Sequence, residues 1–103
     1  MLENLSLDGK SIVITGGGTG LGREMTLAMA RAGADLVIAS RRAGPIEEVA
    51  ALVRDMGRKG IAVSTDVADS AQVNHLFEVA LDELGKVDVL FNNAGIVRGH
   101  GST

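Results

Sequence analysis

The run Thr15-Gly16-Gly17-Gly18-Thr19-Gly20-Leu21-Gly22 has the composition to hold a phosphate. Glycines let a backbone pass close to an anion with no Cβ in the way. The N–H groups at a helix start have no partner inside the helix, and the helix dipole favours an anion there. A strand before the run and a helix after it would put those groups to use. Three glycines in succession cost backbone entropy that a plain connecting turn would hardly require. Other chemistry is scarce. The chain has no cysteine, hence no disulfide framework and no thiolate. His75 and His100 form no cluster, and neither is expected to hold a metal or to act in catalysis. There is no tyrosine.

The elements that must position the run follow from periodicity. Ser11 to Thr15, with Ile12-Val13-Ile14 at its centre, reads as a buried strand. Leu21, Met25, Ala28, Met29 and Ala32 recur at helical spacing, and Gly33 is a stop signal. Asp35 to Ala39 reads as a second strand. Pro45 suits the first turn of a second helix, whose face is Ile46, Val49, Val53 and Met56. Ile61 to Ser64 is a short third strand. Asp69 or Ser70 can cap a third helix with an apolar face of Val73, Phe77, Ala80, Leu81 and Leu84, ending at Gly85. Val87 to Phe91 is a fourth strand.

Near-continuous apolar strands alternating with amphipathic helices predict an α/β fold with a parallel sheet. Right-handed crossovers then give a Rossmann-like three-layer arrangement with strand order 3-2-1-4. The first two helices share one face. The third crosses to the other and must cover four strands alone, which leaves that face and the edge of the fourth strand under-covered. Residues 1–95 form the expected domain, and 96–103 a tail without periodicity.

Bulk composition narrows the class. At 103 residues the chain is one domain at most, and 46% hydrophobic content is that of a folded protein. A net charge of −3 shows no nucleic-acid footprint. No apolar stretch reaches the length of a membrane span, and the N-terminus lacks a signal pattern, so a cytoplasmic protein is expected. Phe77 and Phe91 are the only aromatics, so the core is aliphatic.

Three motifs in order, each at the end of a predicted strand, carry a resemblance. They are Thr15-Gly16-x-x-x-Gly20-x-Gly22, Asp66-Val67 and Asn92-Asn93-Ala94-Gly95. Together they resemble the short-chain dehydrogenase/reductase family, from Lys10 to Gly95, and only its N-terminal part. The resemblance implies a dinucleotide-binding domain. It implies that Gly16, Thr19, Leu21 and Gly22 line the pyrophosphate, with Gly20 giving backbone clearance. It implies that Asp66 meets the exocyclic amine of the adenine while Val67 lies on the ring face. The bland alternative for Asp66 is a helix cap, but Asp69 is better placed for that. Asn92 is expected to be mainly structural, and Asn93, Ala94 and Gly95 to touch the cofactor.

An acidic residue after the second strand would bind the adenosine-ribose hydroxyls of NAD. Ser40 stands there instead, followed by Arg41 and Arg42. A guanidinium presents a planar fork of donors to a phosphate dianion. This favours NADP(H) over NAD, with Arg41 weightier than Arg42. The alternative is a pair of solvated loop charges.

Family enzymes also carry a Ser and a Tyr-x-x-x-Lys in a second half, and a further Asn on the helix after the fourth strand. None is found here, so no catalytic residue is expected in this chain, and Ser102 is given no such role. Two readings follow. In one, the chain is the cofactor-binding portion of an NADP(H)-dependent oxidoreductase acting on alcohol or carbonyl substrates. Thr15 to Gly22 and Val37 to Arg41 look like the dienoyl-CoA reductases, and Asn92 to Ile96 more like the 3-oxoacyl reductases. In the other, it is a non-catalytic dinucleotide-binding or self-associating module. Either way a second copy or a complementing chain is expected over the bare sheet face, and a stable monomer is not.

Overall fold

The computed structural model describes residues 6–93. In chain order these form β1 (Ser11–Thr15), α1 (Gly20–Arg31), β2 (Asp35–Ser40), α2 (Ala43–Asp55), β3 (Gly60–Ser64), α3 (Ser70–Leu84) and β4 (Val89–Asn92). The strands are parallel in the order β3-β2-β1-β4, as expected. Ala94, Gly95 and the tail lie outside the described residues.

Alternation along each strand divides the core into two layers. Ile12, Ile14, Leu36 and Ile38 point to one face, where α1 and α2 bring Leu27, Ala30, Ile46, Val49, Ala50 and Val53. Val13, Val37 and Ala39 point to the other, against Leu76 and Ala80 of α3. Full burial of one such aliphatic side chain contributes about 1.5–3 kcal/mol. This is why β1, buried along its whole length, is the rigid centre that carries the glycine run.

Two helical faces differ from expectation. In α1 the buried residues are Gly22, Thr26, Leu27 and Ala30, while Leu21 is 69% exposed. A count of apolar residues favours Leu21 and the methionines. Packing favours the side with the least bulk, because the absence of a side chain at Gly22 lets α1 sit directly on the turn. In α3, Leu76 and Ala80 are fully buried, and Leu81 is 52% exposed. On that same face Leu90, the register partner of Val13, is also 52% exposed. One helix does not cover β4, as anticipated.

β4 begins two residues later than expected, and the segment before it is held by side-chain bonds. Asp88 donates its N–H to the Ser11 carbonyl at 2.8 Å, and its Oδ2 accepts from the Ser11 N–H at 2.8 Å. Lys86 Nζ lies 2.8 Å from the same oxygen. The Lys86 hydrogen bond, followed by that from Ser11, holds the Asp88 carboxyl below its ordinary value of 3.8. A carboxyl depressed by folding stabilises the fold above its ordinary pKa, and that contribution is lost as pH falls through the depressed value. Asp88→Asn keeps an acceptor for Ser11 but cannot titrate. Thermal melts in low salt should therefore show wild type losing its advantage over this variant below about pH 4. Parallel pH profiles for the two proteins would refute the role given to Asp88.

Candidate functional site

The C-terminal ends of β1, β2 and β3 open into a cavity of about 270 Å³. Gly16, Gly18 and Thr19 line it from the turn between β1 and α1. Ser40, Arg41, Arg42 and Pro45 line it from the end of β2 through the first turn of α2, and Thr65 and Val67 from the segment after β3. Ligands of open parallel sheets bind at this end of the strands.

The turn is built from local necessity. Gly16 holds φ +74° and Gly20 φ +55°, a region that costs other residues strain. A Cβ at Gly20 would meet no protein atom within 4 Å, so within the protein its requirement is conformational. At Gly22 the requirement is space. A Cβ there would collide with the Gly16 carbonyl and lie 2.9 Å from Asn93 Nδ2. That Asn93 nitrogen donates to the same carbonyl at 3.3 Å. The Gly16 N–H continues the ladder to the Ala39 carbonyl at 2.7 Å. Buried Thr26 donates its hydroxyl to the Gly22 carbonyl at 2.8 Å. The Gly16 carbonyl is thus held between Gly22 and Asn93.

Helix starts differ according to where they lie. The N-cap residues of α1 and α2, Thr19 and Arg42, both line the cavity, and neither makes a side-chain cap bond. Neither helix has an acid in its first turn. In α3, away from the cavity, Asp69 accepts from the N–H groups of Ala71 and Gln72, which resolves the choice between Asp69 and Ser70. Two uncapped helix starts at one cavity supply N–H donors and positive potential to an anion.

Charge adds to this. Arg41 and Arg42 are the charged residues of the lining, and among the described residues that form it none is a carboxylate. Among the described residues neither guanidinium has an ion-pair partner. The Ser40 hydroxyl donates to the Arg42 carbonyl at 3.0 Å and accepts from the Arg42 N–H at 3.3 Å.

Of the remaining expected contacts, Gly20, Leu21, Gly22, Asp66 and Asn93 are not part of the cavity lining. The sequence leaves Asp66 free of helix capping, which Asp69 performs. Asp66 Oδ1 takes the Ala68 N–H at 2.9 Å in a local turn, and the Asp66 N–H goes to Gln72 Oε1 at 2.8 Å. Val67, beside it, is in the lining. Asn92 accepts from Thr15 Oγ1 at 2.7 Å, which ties β4 to β1. Gly18 of the glycine run, Pro45 of the first turn of α2, and Thr65 also line the cavity, outside the expected cofactor contacts. The available signal was position: Gly18 is within the glycine run, and Pro45 and Thr65 lie close to motifs at strand ends.

Comparison with known proteins agrees with this geometry. The family profile described as short chain dehydrogenase matches residues 10–103. The chain is 38% identical over 93 residues to 7alpha-hydroxysteroid dehydrogenase of Escherichia coli (strain K12), covering 90% of this chain and 36% of that protein. It therefore spans a little over a third of that relative's length. A crystal structure of hydroxysteroid dehydrogenase from Escherichia coli superposes with a TM-score of 0.85 at 37% identity, over 92% of this chain and 40% of the other. The 3-ketoacyl-(acyl-carrier-protein) reductase of Brucella melitensis, complexed with NADH, gives a TM-score of 0.77 at 40% identity, over 82% of this chain and 34% of the other. With the family profile covering nearly all of it, and the strand order and glycine turn in place, this chain belongs to the short-chain dehydrogenase family.

Proposed function

We propose that this chain supplies the NADP(H)-binding portion of a short-chain dehydrogenase that moves hydride between a nicotinamide and an alcohol or carbonyl substrate. The observation that carries the preference is the cavity wall after β2, where Arg41 and Arg42 stand and no carboxylate does. A carboxylate there would favour ribose hydroxyls and repel a 2′-phosphate, whereas guanidiniums attract it. The Brucella reductase is complexed with NADH, so a likeness of fold does not choose between the two cofactors. Choice falls to the residues at this strand end.

In this reading Gly16, Gly18 and Thr19, with the α1 N-terminus, take the pyrophosphate. Ser40, Arg41 and Arg42 take the 2′-phosphate, and Thr65 and Val67 form the adenine wall. Leu21, Asn93, Ala94 and Gly95 extend the contacts toward the nicotinamide. The bound cofactor would give or take the hydride, and this chain holds and orients it.

Adenosine 2′,5′-bisphosphate and 5′-AMP test the adenosine end of the site by calorimetry. The bisphosphate should bind at least about tenfold tighter, the effect of one charge-assisted phosphate contact. Equal affinities would remove the basis for NADP(H).

The second reading, a self-associating module, draws on a different observation. Leu81, Val89 and Leu90 leave apolar surface open on α3 and β4. A second copy or a complementing chain seated there would bury it.

A further inference from the structure

The loop that carries the two arginines has little apolar anchorage, since Arg41, Arg42, Ala43 and Gly44 are all exposed. Hydrogen bonds therefore decide its shape. Two of them come from the end of β3. The Thr65 N–H donates to the Ser40 carbonyl at 2.7 Å, continuing the ladder between β2 and β3. The Ser64 hydroxyl donates to the Arg41 carbonyl at 3.1 Å. The first is a backbone bond, common to any residue at that position except proline. The second depends on the side chain.

We propose that Ser64 is a positioning residue for cofactor choice: by holding the Arg41 carbonyl it aims the Arg41 guanidinium into the cavity. Ser64 is not part of the cavity lining and would touch no cofactor itself. Its action passes through the peptide that follows Arg41. When the Arg41 carbonyl is tied to β3, the backbone torsions on either side of it are restrained, and the guanidinium starts from one fixed root. Without the tie, the arginine must be ordered at the moment of binding, and that entropy is lost from the affinity. Only a ligand group that Arg41 grips feels the loss. The effect should thus fall on the 2′-phosphate and spare the rest of the dinucleotide. This inference rests on the NADP(H) reading above.

Three variants of the full chain separate these roles: Ser64→Ala, Ser64→Val and Ser64→Thr. Threonine keeps the hydroxyl, while valine has nearly the same shape without it. Both β-branched residues suit an edge strand. Each variant would be titrated with NADPH and NADH by nicotinamide fluorescence, and its melting temperature recorded without ligand. Ser64→Ala and Ser64→Val should weaken NADPH by about three- to tenfold, the span of one modest hydrogen bond. NADH affinity should change by less than about twofold, and Ser64→Thr should keep the wild-type ratio. If wild type prefers NADPH and the ratio survives in the alanine and valine variants, the inference falls while the NADP(H) reading stands. Equal weakening of both cofactors, or a loss tracking melting temperature, would mark Ser64 as merely structural. A wild-type chain with no preference for NADPH would overturn the reading and the inference together.

Discussion

Gly22→Ala is expected to cost this chain both its cofactor site and a measurable part of its stability. The added methyl would overlap the Gly16 carbonyl and crowd the Asn93 amide that bonds to it. The carbonyl belongs to backbone already bonded to Ala39, so it cannot swing aside as a flexible side chain would. Either α1 lifts from the turn or the turn shifts, and both displace the N–H groups at the helix start. Overpacking of this kind costs about 1–3 kcal/mol. In a domain of this size each kcal/mol lowers the melting temperature by about 4–8 °C. Cofactor affinity should fall about 100-fold or more, because a displacement of about 1 Å is enough to spoil a phosphate cradle. Gly44→Ala is the control. It lies in the first turn of α2, where a Cβ meets nothing within 4 Å. That variant should bind normally and melt close to wild type, since the gain in helix propensity is opposed by the contact of the new Cβ with the ring of Pro45. Similar behaviour of the two variants in melts and titrations would show that Gly22 is not a packing requirement.

Arg41→Ala should produce the largest change in cofactor choice. One charge-assisted contact contributes about 1.5–3 kcal/mol, so NADPH affinity should drop about 10- to 100-fold. NADH, which lacks the 2′-phosphate, should change by no more than about threefold. Arg42→Ala should show the smaller effect, because Arg42 is also the N-cap residue of α2 and its backbone is bonded to Ser40. The NADPH contact should weaken further as salt rises, since these guanidiniums are solvent-exposed. An equal loss of both cofactors in Arg41→Ala would mean that the guanidinium supports the loop and does not read the phosphate.

Much of the architecture was open to reading from the chain. Four short apolar runs separated by helical patterns lead directly to a parallel sheet, and crossover handedness then orders the strands. The glycine run, Arg41 and Val67 could be placed at one end of that sheet because each follows a strand. Other features depend on contacts between residues far apart in sequence. Asn93 reaching the Gly16 carbonyl, and Asp88 reaching Ser11, are both spaced by 77 residues. Nothing near either residue announces its partner. The face of α1, and the Leu76 and Leu81 positions of α3, depart from apolar counting for a related reason, while Phe77, Ala80 and Leu84 pack as expected. Apolar counting cannot see that the close approach of Gly22 sets the rotation of α1, or that α3 turns Leu76 inward and leaves Leu81 out. Thr65 and Pro45 carry no distinctive chemistry, and only the cavity shows that they wall it. Ser64 is the extreme case, an ordinary serine whose partner is a backbone carbonyl on the neighbouring strand's loop.

The central claim is that the cavity at the strand ends is an NADP(H) site read by arginine. Titrating the purified chain with NADPH and with NADH, while following nicotinamide fluorescence and melting temperature together, tests it most directly. NADPH should bind at least about tenfold tighter than NADH, the value of one charge-assisted contact. At a hundredfold excess over its Kd it should stabilise the fold by about 2.7 kcal/mol. Equal affinity for the two, or no binding of either, would contradict the claim.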